Sequence, residues 1–223
     1  MTAKLISYSK GVSDDEQSLQ DLVAFCARVS NPANQHNTGT NEKLIKYLLE
    51  NNHWSPLEMV SICIEIETTR DICRQILRHR SFSFQEFSQR YAEANLGFTY
   101  KEARLQDSKN RQNSIDIIQD DASTNELCDL WQSKQIELTN LSNSTYQWAL
   151  KNGIAKEQAR AVLPEGITKS KMYMNGTLRS WVHYLQLRTG NGTQKEHREI
   201  ALACTQEVAK VFPMIMELLD NHV

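Results

Sequence analysis

The sequence predicts an α+β fold, with helices packed around a mainly antiparallel central sheet in a single domain over residues 1–223. Three observations carry this. Segments with a two-residue apolar alternation and segments with a helical apolar period both occur. They do not alternate as regular βαβ units, which a doubly wound parallel sheet requires. The chain has 223 residues, 40% hydrophobic and 23% charged, the length and composition of an ordinary globular domain.

Taken in order, Lys4–Tyr8 reads as a first strand. Ser18–Val29 places Leu19, Leu22, Val23 and Cys26 on one helical face. Residues 31–39 hold Pro32 and several Asn and form a turn region. Thr40 or Asn41 is placed to cap a helix through Glu50, buried along Leu44, Ile45, Leu48 and Leu49. His53-Trp54-Ser55-Pro56 interrupts the pattern. Val60–Thr68 alternates Ile62, Ile64 and Ile66 with Ser61, Cys63 and Glu65, so it is a strand. Thr69 is placed to cap a helix running to about Arg80. Phe82–Tyr91 reads as extended, as does Gly97–Leu105. Residues 106–123, rich in Asn, Gln, Ser and Asp, form a polar surface excursion. A long helix over Glu126–Lys151 carries the stripe Leu127, Trp131, Lys134, Leu138 and Leu141, with Asn152-Gly153 as its stop. Ala155–Val162 is a short helix ahead of Pro164, and Lys169–Met174 is extended. Helices over Thr177–Leu187 and Gln194–Leu219 close the chain, the second disturbed by Pro213.

Formal net charge is -2, so no bulk attraction for nucleic acid is expected and anion recognition must be local. Residues 70–90 supply it: Arg70, Arg74, Arg78, Arg80 and Arg90 stand against Asp71 and Glu86. The five cysteines are scattered and form no CxxC pair, which removes zinc-ribbon and redox-motif readings. The six histidines form no HxxxH or HxH pair, so no metal site is expected. No apolar leader or membrane-length run is visible, and a reducing, cytoplasmic compartment without membrane association is the expectation.

Arg78-His79-Arg80 puts three cationic or potentially cationic side chains in a row. On an ideal helix Arg78 and Arg80 point nearly opposite ways, so all three reach one ligand only if the helix ends there. The plain alternative is that cations in a last helical turn favour the macrodipole by about 0.3–1 kcal/mol each. If residues 82–91 are extended, Ser88 and Arg90 share a face about 7 Å apart, a spacing a phosphate could bridge. By itself this supports anion binding, such as a nucleotide or a dinucleotide cofactor, and names no reaction.

Read whole, the stretch is RHRSFSFQEFSQRY. Arg-His-Arg, seven residues, then Ser resembles the signature of the flavin-dependent thymidylate synthases. KLIKYLLENNHWSPLE upstream, and EQARAVLP, LRSWVHYLQLR and TQKEHREIA downstream, are similar to the rest of that family. The resemblance covers about Leu44 to Ala203, leaving the 106–123 segment outside it.

The resemblance implies conversion of dUMP to dTMP with 5,10-methylenetetrahydrofolate as carbon donor, FAD as redox carrier and NADPH as reductant. It gives FAD contacts to Ser55, Arg78, His79, Arg80, Glu86, Thr177, Arg179 and His183, and flavin or folate access to His53. It gives dUMP binding to Arg74, Gln75, Glu86, Phe87, Ser88, Gln89, Arg90, Arg160 and Arg188. Ser88, Arg90 and Arg160 would hold the phosphate. Arg188, the catalytic residue, would lie against the uracil and stabilise its deprotonated form, enriching C5 in electrons. Thr177 stands where many members carry Asn. The classical thymidylate synthase needs a Pro-Cys-His nucleophile, and no cysteine here is preceded by Pro or followed by His. The family also implies an intertwined homotetramer with shared active sites. A non-catalytic nucleotide-binding regulator is the competing reading; it predicts nucleotide binding without a yellow cofactor.

Overall fold

The structure is a computed structural model that describes residues 1–12, 17–118 and 122–220. His222 and residues 119–121 of the polar excursion lie outside the described residues. In chain order the elements are β1 (Thr2–Tyr8), α1 (Leu19–Ala27), α2 (Asn41–Glu50), β2 (Ser61–Thr69), α3 (Arg70–Ile76), β3 (Ser83–Glu86), β4 (Arg104–Gln106), β5 (Ser114–Asp116), α4 (Ala122–Lys151), α5 (Lys156–Ala159), β6 (Lys169–Thr177), α6 (Leu178–Arg188), α7 (Lys195–Ala209) and α8 (Ile215–Asp220). The fold is α+β, with an antiparallel sheet of order β1-β2-β6-β3. Among the described residues, no helix is long and apolar enough to cross a membrane. The chain forms two compact units: residues 1–66, 77–85 and 172–223, and residues 67–76 and 86–171.

The first unit holds most of the sheet. Ile62, Ile64 and Ile66 are fully buried, as the alternation in β2 requires, and Met172 and Met174 of β6 are buried likewise. β1 ends where β2 begins, the Ser9 amide donating to the Ser61 carbonyl at 3.0 Å. Trp181 of α6 is fully buried and donates from Nε1 to the Ile62 carbonyl at 2.9 Å, which pins α6 to β2. Thr177 caps α6, its hydroxyl accepting from the Ser180 amide. Gly176 is required by packing: a Cβ there would fall 2.4 Å from the Phe82 ring. Pro213 lies between α7 and α8 and splits the final helical run in two.

In the second unit, β4 and β5 pair antiparallel with Leu105 opposite Ile115, within and beside the polar excursion. Tyr146, Ala149 and Ala159 form a small buried cluster with Ala94, Leu150 and Leu163 against it. The Tyr146 hydroxyl accepts from the Ala94 amide at 3.0 Å.

Four local expectations are corrected. Thr40 flanks α2 without a capping bond, and Asn41 is buried inside the helix, accepting from Arg28 and donating to Asp21. The helix expected to reach Arg80 stops at Ile76, and the Thr69 hydroxyl donates to the Asp71 carboxylate. The extended run expected over residues 82–91 covers only Ser83–Glu86. In α4 the anticipated stripe faces outward: Leu138 is 51% and Leu141 68% exposed, whereas Gln135, Thr139, Ser142, Tyr146 and Ala149 are buried. The reason is hydrogen bonding. Gln135 brackets Lys101, accepting from its amide at 2.8 Å and donating to its carbonyl at 2.9 Å, and Ser142 donates to the Val162 carbonyl at 2.7 Å. Satisfied polar groups can be buried at little cost.

Candidate active site

The end of α3 at Ile76 puts Arg78, His79 and Arg80 in a turn of the first unit, closed by the Phe82 amide donating to the His79 carbonyl at 3.2 Å. Buried Phe82 anchors the chain beyond it, its ring edge-on to Trp181 at 5.0 Å and to Tyr184 at 5.9 Å. Arg78 and Arg80 are exposed and have no ion-pair partner among the described residues. The turn removes the helical geometry that would point Arg78 and Arg80 nearly opposite ways.

His79 is turned to a different partner. Arg188, the last residue of α6, donates from Nε to His79 Nε2 at 2.9 Å. A guanidinium has donors only, so Nε2 must accept and the imidazole proton sits on Nδ1. Burial first, and the Arg188 charge second, push His79 down to about 4, which keeps it neutral. Its ring stands edge-on to Tyr184 at 4.8 Å. The Tyr184 hydroxyl is 3.1 Å from Nε2 of fully buried His197. Burial, then the charge of Arg188 and the influence of His79, push His197 down to about 3, and burial pushes the Tyr184 phenol well above its ordinary value.

The remaining flavin candidates also lie in the first unit. Thr177, Arg179 and His183 run along the start and middle of α6. Arg179 pairs with Glu58, and the His183 ring lies 4.4 Å from that of Trp54, tilted by 52°. Burial, with a smaller contribution from Arg179, lowers the His183 imidazole. Trp54 and His183 line a cleft of about 530 Å³ with Lys46, Gln186, Met214 and Glu217. Ser55 opens a 3-10 turn, Ser55–Glu58. Exposed His53 follows Asn52, whose φ of 57° is left-handed, a region Asn tolerates. Its ring lies 5.9 Å from that of Tyr47.

The second unit holds the other cluster. Arg70 and Arg74 are four apart on α3 and share a face. Arg74 donates to Glu86 at 2.7 Å, Arg70 reaches the same carboxylate at 3.5 Å, and Ser170 donates to it at 2.9 Å. Glu165 lies 3.4 Å from Arg70 and 3.3 Å from Arg74. Gln75 is half-buried on the same helix. The Phe87 amide donates to the Lys171 carbonyl at 2.8 Å, and beyond it the chain turns, with the Ser88 carbonyl accepting from Tyr91 and Ala92 at 3.1 and 2.9 Å. The strand geometry expected to align Ser88 with Arg90 is therefore absent. Gln89 is buried, and Arg90 pairs with Glu157 at 3.3 Å. Arg160 opens a 3-10 turn, half-buried and without an ion-pair partner among the described residues.

The structure thus gathers Arg78, His79, Arg80 and Arg188 in one unit, and Arg74, Glu86, Ser88 and Arg90 are found in the other. Tyr184 and His197 behind His79, and Glu165 beside Arg74, carry no role in the sequence reading. One signal was available: Tyr184 is four residues before Arg188 on one helix and shares its face. His197 gave none, because its pairing crosses two helices. Burial pushes the thiols of Cys26, Cys63 and Cys204 up and that of Cys73 to about 12, so none of these is poised as a thiolate nucleophile.

Residues 5–214 match the family described as thymidylate synthase complementing protein. A "probable flavin-dependent thymidylate synthase" of Paramecium bursaria Chlorella virus 1 is 47% identical over 220 residues, 99% of each chain. A "flavin-dependent thymidylate synthase" of Synechocystis is 46% identical over 223 residues, covering 99% of this chain and 100% of that one. Among solved structures, the UMP/dUMP methylase PolB of Streptomyces cacaoi bound with 5-Br dUMP superposes with a TM-score of 0.81 at 26% identity, covering 100% of this chain and 96% of that one.

Proposed function

The chain belongs to the thymidylate synthase complementing protein family, and from that premise we propose that it is a flavin-dependent thymidylate synthase that methylates dUMP reductively to dTMP. In this reading FAD is the flavin, 5,10-methylenetetrahydrofolate the carbon donor and NADPH the reductant. The observation that carries it is the Arg188–His79 pair, a guanidinium held by a neutral acceptor in place of a carboxylate.

The residues fit an anionic dinucleotide. Arg78 and Arg80 are exposed in one turn, without ion-pair partners among the described residues, which suits a pyrophosphate. Arg179, His183, Ser55 and Thr177 serve the same cofactor, and His53 the access to it. Bound flavin supplies the two-electron chemistry that protein side chains lack. The protein supplies placement and charge. Arg188 spends Nε on His79, which leaves its two terminal nitrogens for a planar acceptor edge such as N3 and O2 of uracil. Because His79 stays neutral, the full positive charge remains to stabilise an electron-rich pyrimidine. No protein–substrate bond is needed, which agrees with thiols raised by burial.

Arg74, Gln75, Phe87, Gln89 and Glu86 hold the nucleoside in this reading, and Ser88, Arg90 and Arg160 its phosphate. Glu86 fits a positioning role because its carboxylate already gathers Arg70, Arg74 and Ser170. The active form is a homotetramer in which each active site draws residues from more than one subunit. The outward apolar residues of α4 support association.

The test is dTMP formation by purified protein supplied with dUMP, methylenetetrahydrofolate, FAD and NADPH. A flavin spectrum bleached by NADPH and dTMP as product are expected. Colourless protein that binds dUMP and makes no dTMP would return the non-catalytic reading.

A further inference from the structure

We propose that Tyr184 and His197 form a buried positioning pair that fixes the orientation of His79, and through it the guanidinium of Arg188. The inference rests on the reading of Arg188 given above. Neither residue reaches the ligand-facing side of Arg188 directly; both act through the imidazole between.

Three geometric facts carry it. Arg188 Nε donates to His79 Nε2 at 2.9 Å, so the direction of the guanidinium follows the plane of the imidazole. That imidazole is half-buried and stands edge-on to the Tyr184 ring at 4.8 Å and 88°. Tyr184 is held in turn by a hydrogen bond of 3.1 Å to His197, and both groups are buried. The phenol and imidazole ends fix each other whichever one donates.

Packing alone does not need these groups. Tyr184 is also edge-on to Phe82 and Trp181, at 5.9 and 5.8 Å, and a phenylalanine would keep every one of those ring contacts. Burying a phenol and an imidazole is costly unless they satisfy each other. His197 approaches His79 as well, ring centres 6.3 Å apart at 84°. The low proton affinity of His79 and His197 agrees with the arrangement, since a charge on either would oppose Arg188.

The pair sets orientation and leaves ligand capture to others. Tyr184→Phe is therefore expected to lower kcat about tenfold, the scale on which sub-ångström misplacement acts, with flavin content and the KM for dUMP unchanged. His197→Leu gives the same pattern or a deeper one. His197→Gln, whose amide can still meet the phenol, restores most of the turnover. Equal kcat for Tyr184→Phe, His197→Leu and wild type, in protein that retains flavin, would overturn the proposal. So would a loss that appears only in flavin content or melting temperature, because that marks a core role.

A second readout does not depend on turnover. In 15N-histidine-labelled protein at neutral pH, His79 should show the neutral tautomer with the proton on Nδ1, and Tyr184→Phe should move the Nε2 resonance, which reports the bond from Arg188. An unshifted His79 signal in that variant contradicts the proposal even if the wild type makes no dTMP. Absence of dTMP from wild-type protein refutes the thymidylate synthase reading alone.

Discussion

Arg188 and Arg74 carry the same guanidinium into opposite surroundings. Arg188 meets a neutral imidazole, pushed down to about 4 by burial and by Arg188 itself. Arg74 meets the carboxylates of Glu86 and Glu165. In the first case the positive charge is oriented and has no ion-pair partner among the described residues. In the second it is neutralised in place, and Glu86 gains a fixed geometry from Arg70, Arg74 and Ser170. Under the proposed assignment, charge that acts on a reacting ring belongs in the first setting, and charge that holds a framework belongs in the second. Arg78 and Arg80, exposed and without ion-pair partners among the described residues, side with Arg188, whereas Arg90 with Glu157 sides with Arg74.

The largest expected effect tests the uncompensated side. Replacing Arg78 and Arg80 together with Ala should weaken FAD binding by about 10²–10⁴, from the loss of two charge-assisted interactions of about 1.5–3 kcal/mol each. Absorbance of the purified protein checks it: weakly coloured or colourless protein is expected, and full flavin retention would break the contrast. Next comes Glu86→Gln, which removes the carboxylate that Arg70 and Arg74 share and leaves both with Glu165. Side chains only 12% and 15% exposed at Arg70 and Glu86 make this pair matter more than a surface one. A stability loss of about 1–3 kcal/mol is expected in chemical denaturation.

A pH series sharpens the comparison from the imidazole side. His79 and His197 are pushed down to about 4 and about 3 in the folded chain, against an ordinary value of 6.5. Between those values the unfolded chain binds more protons, so their contribution to stability is complete above about pH 6.5 and declines as the pH falls toward 4. Melting temperature should drop across that window, and His197→Gln should flatten part of the drop. The smallest effect belongs to the exposed pair: Arg90→Ala should change stability by no more than about 0.5 kcal/mol, while it raises the KM for dUMP.

The sequence made the fold class legible because β2 alternates isoleucine with polar residues and α6 and α7 follow a helical period. It ran α3 on to about Arg80, although Arg78, His79 and Arg80 could serve one ligand only where that helix ends; the helix stops at Ile76. It misplaced the face of α4. Leu138 and Leu141 mark a face to be taken out of water, but periodicity does not say whether the same chain covers it. Gln135 and Ser142 are buried by hydrogen bonds to the backbone of Lys101 and Val162, partners remote in sequence. The same limit hid His197, whose meaning comes from Tyr184 on a neighbouring helix. The shared strand face expected of Ser88 and Arg90 is lost because a four-residue strand was extended through a turn.

The most direct test is the split between kcat and KM for dUMP in flavin-loaded Arg188→Ala and Arg74→Ala. Loss of an interaction made in the transition state lowers kcat, and loss of uniform binding raises KM. Arg188→Ala is expected to lose about 10²–10³ in kcat, the scale for removing a donor to developing charge, whereas Arg74→Ala chiefly raises KM. Two variants that fail in the same parameter, or an Arg188→Ala enzyme that turns over at the wild-type rate, would contradict it.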